Sequence, residues 1–227
     1  MKPARNRFAR ARRPGEKEAR RTAILEAAAR LLEAKPLHDI GLNAIAQEAG
    51  LSKPNLYRYF ESREEILLEL FLQDLGGFAD EVQAGMAEIA PVGDGAAPAV
   101  ATVLARAYAR RPRLCLFLGA ISSVLEYNVS TDVVVAVKRT SLALAERVAG
   151  AVARALPFLS LEQCLWLNNA VALFVAGLWP PANPAPVVRE VLERPDFEGL
   201  RPDFRRDLER LIVTLVAGMR ASAAHPR

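Results

Sequence analysis

Between Gly50 and Phe60 the chain places a hydroxyl, an ammonium, a carboxamide, a guanidinium and two phenols: Ser52, Lys53, Asn55, Tyr57, Arg58 and Tyr59. All six are hydrogen-bond donors at neutral pH and none is anionic, so together they suit a polyanion. Lys53 and the Tyr57 hydroxyl fit phosphate oxygens, and Tyr59 or Arg63 would help from the edge. Asn55, Arg58 and the nearby Asn43 carry planar or forked donors that match base edges in a major groove. Tyr59 serves equally well as a core residue, and Phe60 reads as core. The chain offers little other chemistry: no GxSxG, HExxH, phosphate loop or metal-spaced cluster, and no histidine near Cys115 or Cys164. No catalytic residue, metal ligand or cofactor is expected.

Presenting those donors needs a short helix on a small scaffold. Ile45, Ala46, Ala49 and Leu51 form an apolar face, and Gly50 supplies the positive φ that turns the chain. Ser52 stands at the N-cap of the next helix, with Pro54 in its first turn, where a missing N–H costs nothing. Helix, tight turn, helix is the shape that lays a recognition helix in the major groove. A preceding helix is expected over about 17–35, with Ile24, Ala28, Leu31 and Leu32 on one stripe, ended by Pro36. Leu56 and Phe60 complete this core. Ser62-Arg63-Glu64-Glu65 reads as a capping box opening a fourth helix, with Ile66, Leu70 and Phe71 on its buried face.

The run AIAQEAGLSKPNLYRYFESREEIL closely resembles the DNA-binding domain of the tetracycline-repressor (TetR) family of bacterial transcriptional regulators. Ile45-Ala46, Ala49-Gly50-Leu51-Ser52, Leu56-Tyr57-Arg58-Tyr59-Phe60 and Ser62-Arg63-Glu64 fall at the family's spacing. Gly41 stands where the family usually has Thr or Ser, so a hydroxyl contact to phosphate is missing there. The resemblance implies an all-α protein with a three-helix DNA-binding domain and an α-helical ligand-binding and dimerisation domain. It also implies a homodimer paired through the last two long helices, binding double-stranded DNA at an inverted-repeat operator and responding to a small effector. The expected layout is a basic arm over 1–15, the DNA-binding domain over 16–62 and the effector and dimerisation domain over 63–227.

Charge agrees with that layout. Residues 1–60 hold thirteen Lys/Arg against six Asp/Glu, and the remainder seventeen against twenty, for net charges of +7 and −3. Arg5, Arg7, Arg10, Arg12 and Arg13 form an arm that is either a solvated tail or a set of phosphate and minor-groove contacts. His38 reads as a surface residue. Cys115 and Cys164 read as reduced core thiols of a cytoplasmic protein. No signal peptide is expected, and the apolar runs 114–125 and 165–179 read as too short or too interrupted, by Asn168 and Asn169, to span a bilayer.

After the Pro/Gly/Ala-rich break at 91–98 the pattern is helical: near 98–110, 112–126, 130–155, 160–179, 186–193 and 203–221. VVVAV (133–137) follows the capping cluster Ser130-Thr131-Asp132 and reads as helix. The segment 161–179 is apolar nearly all round, and Ala170, Ala172, Ala176 and Gly177 admit close approach of another helix. Phe204, Leu208, Leu211, Leu215 and Met219 stripe the last helix. Ligand candidates are the apolar Phe117, Leu118, Ile121 and Phe174 with the polar or amphipathic Glu126, Tyr127, Trp166 and Asn169; Ser122, Ser123, Asn128 and Asn168 are further candidates. The loop 180–186 with Trp179 would form an entrance or a dimer wedge. The expected function is a repressor released from its operator by a small, mainly apolar ligand. The alternative is a regulator or helical adaptor controlled by a protein partner.

Overall fold

The computed structural model describes residues 14–90, 96–121 and 125–224; the arginine arm, Ser122, Ser123 and His225 lie outside them. Among the described residues there are helices and no strands. They divide between Leu67 and Leu68 into two compact units.

The first unit is built on α1 (Pro14–Ala34), α2 (Leu42–Glu48) and α3 (Lys53–Leu56). Ile24, Leu25, Ala27 and Ala28 of α1 are buried with Ile40, Ile45, Ala46, Leu56 and Phe60, while Leu31 and Leu32 are only half-buried. An ion pair of 2.8 Å between Arg30 and Glu48 joins α1 to α2. Gly50 has φ +66°. The Gly50 amide donates to the Gln47 carbonyl and the Leu51 amide to the Ala46 carbonyl, at 3.0 and 2.8 Å, which is the Schellman closure that a left-handed glycine permits.

α4 (Arg63–Ala87) begins in this unit and continues into the second. The Ser62 hydroxyl accepts from the Glu65 amide at 3.0 Å, as the capping box requires. The return bond goes one residue further back than expected: Glu65 accepts from the Glu61 amide at 2.6 Å.

The second unit packs α5 (Ala96–Ala109), α6 (Pro112–Ala120), α7 (Thr131–Ala155), α8 (Leu161–Ala182), α9 (Pro186–Leu192) and α10 (Phe204–Ala224). α10 lies on α5 and α8, and α6 and α7 lie on α8. VVVAV is helical, with Ser130 accepting from the Val133 amide. α6 stops at Ala120, short of the expected 126, and the Glu126 amide returns five residues to the Ile121 carbonyl at 3.1 Å. α8 runs on through Pro180 and Pro181 to Ala182, so the first three residues of the expected 180–186 loop are its last turn. Pro180 has no N–H to engage the Ala176 carbonyl, and α6 comes close at that point: a Cβ at Gly119 would sit 3.4 Å from that oxygen. The Asn183 side chain and amide close the end on Trp179 at 3.1 and 3.0 Å.

By length and composition α8 could cross a membrane, despite Asn168 and Asn169, with a mean hydropathy of 1.3 over an 18-residue window. It is nevertheless a packed element of this unit, burying Cys164, Leu167, Val171 and Val175.

Candidate nucleic-acid interface

The recognition segment exposes its donors because its apolar residues face the other way. Leu56 and Phe60 are 0% and 1% exposed and seat the segment on the three-helix core. Ser52, Lys53, Pro54, Asn55, Tyr57 and Arg58 are exposed, and so is Asn43 on α2. Ser52 occupies the N-cap position, yet its hydroxyl makes no cap bond. Pro54 has no amide to offer it, and the Asn55 amide is taken by the Ser52 carbonyl at 2.9 Å. The hydroxyl is thereby left outward for another acceptor. The Lys53 ammonium lies 5.9 Å from the centre of the Tyr57 ring, which gathers a charge and a phenol on one face.

Two of the expected contacts sit differently. Tyr59 is half-buried. The Arg63 guanidinium is turned onto the first unit, donating to the Ile40 carbonyl at 3.1 Å and pairing with Glu64 at 3.1 Å. A groove of about 660 Å³ runs beside the segment, where Lys17 and Arg20 of α1 join Arg58 and Tyr59. Sequence reasoning had not singled out Lys17 or Arg20, since an Arg/Lys/Glu-rich first turn reads as an ordinary solvated helix start.

In the second unit the expected ligand residues are spread over several environments. Phe117 is fully buried, edge-on to Phe71 with ring centroids 6.4 Å apart. Ile121 and Phe174 are half-buried, and Glu126 is held by Lys138 at 2.6 Å. Tyr127, Trp166 and Asn169 point outward, Tyr127 and Trp166 being 75% and 55% exposed. Asn168, on which a buried polar site was reasoned, is half-buried.

Two outward stripes stand on adjacent helices instead. On α8, Trp166, Asn169, Leu173 and Gly177 are exposed at helical spacing; on α10, Thr214, Gly218 and Ser222 are exposed beside half-buried Leu211, Leu215 and Met219. The last helix therefore carries two apolar stripes: Leu208, Ile212 and Val216 face the core, and Leu211, Leu215 and Met219 flank the outer face. A shallow groove of about 510 Å³ between α8 and α10 includes Trp166, Leu215 and Met219.

Several charged groups of this unit pair with one another. Arg111 donates to Glu81 at 2.5 Å and to the Gly77 carbonyl at 2.7 Å, and Arg113 grips Asp74 through two bonds of 2.7 Å. Arg147 pairs with Asp80. Burial opposes charge on Glu81, but the Arg111 hydrogen bond and the charges of Arg111, Arg110 and Arg106 outweigh it and hold the carboxyl below its ordinary range. Burial pushes the Cys115 and Cys164 thiols up to about 12 and 11, so both stay protonated and poor nucleophiles at neutral pH.

Residues 24–70 match the family model of bacterial regulatory proteins, tetR family, and residues 72–223 match that of the tetracyclin repressor-like C-terminal domain. The HTH-type transcriptional regulator EthR of Mycobacterium tuberculosis is 49% identical over 51 residues, 22% of this chain and 24% of that protein. The match thus spans about a quarter of the length of that relative. Among solved structures, a TetR transcriptional regulator from Rhodococcus sp. RHA1 superposes with a TM-score of 0.52 at 21% identity, covering 88% of this chain and 97% of the other. The fatty acid degradation regulator FadR from Bacillus halodurans does so with a TM-score of 0.54 at 14% identity, covering 88% and 96%. At these identities the superpositions speak for the fold alone.

Proposed function

The chain belongs to the TetR family of bacterial transcriptional regulators, and from that premise we propose that it is a homodimeric repressor released from an inverted-repeat operator by a small, mainly apolar ligand. It would act in the cytoplasm, with residues 16–62 as the reading domain and 63–227 as the effector and dimerisation domain. In this reading Ser52, Lys53 and Tyr57 hold phosphates, and Asn43, Asn55 and Arg58 face base edges, with Pro54 setting the first turn of the helix. Tyr59 and Arg63 border the contact.

The observation that most favours the dimer is the pair of outward stripes on α8 and α10. An apolar face carrying Trp166 and Leu173, both more than half exposed, is costly to leave in water. Gly177 and Gly218 have open space above them, so a facing helix can come close. A second copy related by a two-fold axis would bury both stripes at once and set two heads a fixed distance apart, as a palindrome demands.

For the effector, the apolar set Phe117, Ile121 and Phe174 favours a lipophilic molecule, with Glu126 as a polar neighbour. Release then needs only that the ligand prefer the form whose heads no longer match the operator, a coupling of about 1–3 kcal/mol. The test is a thermal-shift screen of fatty acids and substituted phenols, followed by operator anisotropy. A compound that raises the melting temperature and lowers operator affinity is expected. A screen without such a compound, together with release by a protein fraction, would favour the partner-controlled alternative.

A further inference from the structure

Neither helix of the DNA-reading motif is capped by a side chain at its start. Gly41 has none to offer α2, and the Ser52 hydroxyl makes no cap bond for α3. α3 is itself only four residues long, too short to hold its own geometry. Its exit is held from outside. The Arg21 guanidinium reaches from α1 to donate to the Tyr59 carbonyl at 2.7 Å, across 38 residues of sequence, and lies 4.2 Å from the centre of the Phe60 ring. A flat fork that donates along its edge while stacking on a ring fixes both the position and the rotation of the backbone it grips, which an ammonium does not. At the other end of the motif, the Arg63 guanidinium donates to the Ile40 carbonyl at 3.1 Å.

Tyr59 follows Arg58 directly and Tyr57 by two residues, so a shift of its carbonyl moves the exposed side chains assigned to DNA. We infer that Arg21 is a positioning residue for operator recognition: it sets the orientation of the recognition segment through the Tyr59 carbonyl and the Phe60 ring, without touching DNA. This rests on the head being a sequence-specific DNA reader. In the sequence Arg21 is indistinguishable from the other basic residues of α1, and the rival role for it is a plain phosphate contact. The two roles leave different marks. A lost phosphate contact weakens binding to all DNA and lowers the salt slope by about one unit. A lost brace spoils base alignment and leaves the slope alone.

The experiment compares wild type with Arg21→Met and Arg21→Lys on operator and on random duplex, by fluorescence anisotropy at four salt concentrations. Stoichiometric titration supplies the active fraction. Arg21→Met is expected to lower the operator-to-random affinity ratio by about tenfold, the scale of one misaligned base contact, with random-DNA affinity and salt slope unchanged. Arg21→Lys should fall between. An unchanged ratio in Arg21→Met, or a uniform loss with a reduced slope, overturns the inference. Should Arg21→Met fail to fold, a ratio in Arg21→Lys equal to wild type overturns it. If wild type itself shows no preference for any sequence, the reading of the head fails, and that outcome is distinct from failure of the brace.

Discussion

The two units spend their polar groups in opposite ways. In the first, Ser52, Asn55 and Arg58 are exposed, and among the described residues their side chains hold no hydrogen bond. In the second, Glu81, Asp74, Asp80 and Glu126 are taken up by Arg111, Arg113, Arg147 and Lys138, and α8 turns the large apolar Trp166 and Leu173 outward beside Asn169. A surface that must meet an ion-rich polymer keeps its donors free. On the proposed function, the outward apolar groups of the second unit would meet another protein face.

The sharpest way to break this contrast is to put charge on the apolar stripe. Leu173→Arg should convert a dimer to a monomer in sedimentation velocity and lower operator affinity by about 10²- to 10⁴-fold, the avidity gained by joining two heads. A dimeric variant would show that the stripe faces something else. Next, Arg58→Ala should cost about 1–3 kcal/mol on operator and relax preference at one base position, whereas Lys53→Ala should weaken all DNA alike and lower the salt slope by about one. Exchanged outcomes would swap the roles of the two residues.

Glu81→Gln tests the internal side of the comparison. Removing its charge should cost about 1.5–3 kcal/mol of stability by denaturant melt at pH 7. The folded carboxyl titrates below its ordinary 4.5, so its contribution is present above that value and disappears as pH falls through the lower folded one. The difference between variant and wild type should therefore shrink on acidification, and a constant difference from pH 7 to pH 3 would contradict the assignment. The smallest effect is expected from Ser62→Ala, which removes the bond to the Glu65 amide and should lower stability by about 1 kcal/mol, with operator contacts intact.

Much of the first unit was legible because its signals are local. A glycine at a φ of +66°, a serine before a four-residue helix and a Ser-x-x-Glu cap each depend on residues within one turn. The helices of the second unit were legible too, even VVVAV, since a capping cluster precedes it. What eluded reading depends on distant pairs. Pro180 and Pro181 read as a loop, yet α8 carries both of them into its last turn. Arg21 resembles its neighbours until Tyr59 and Phe60 are brought beside it. Asn168 and Asn169 pointed toward a buried polar site, but one is half-buried and the other exposed, because the helical face they lie on is not turned to the core. The capping box of Ser160 and Gln163 on α8, by contrast, is a local signal that the Ser-x-x-Gln spacing carries.

The central claim is that the exposed donors of the recognition segment read DNA sequence as a two-fold pair. Selection of genomic fragments by the purified protein, with the strongest fragment titrated by anisotropy across salt concentrations, tests it most directly. The account predicts enrichment of an inverted repeat, bound far more tightly than random duplex and with a steep salt dependence. Weak binding to every fragment alike, with no repeat enriched, would contradict it.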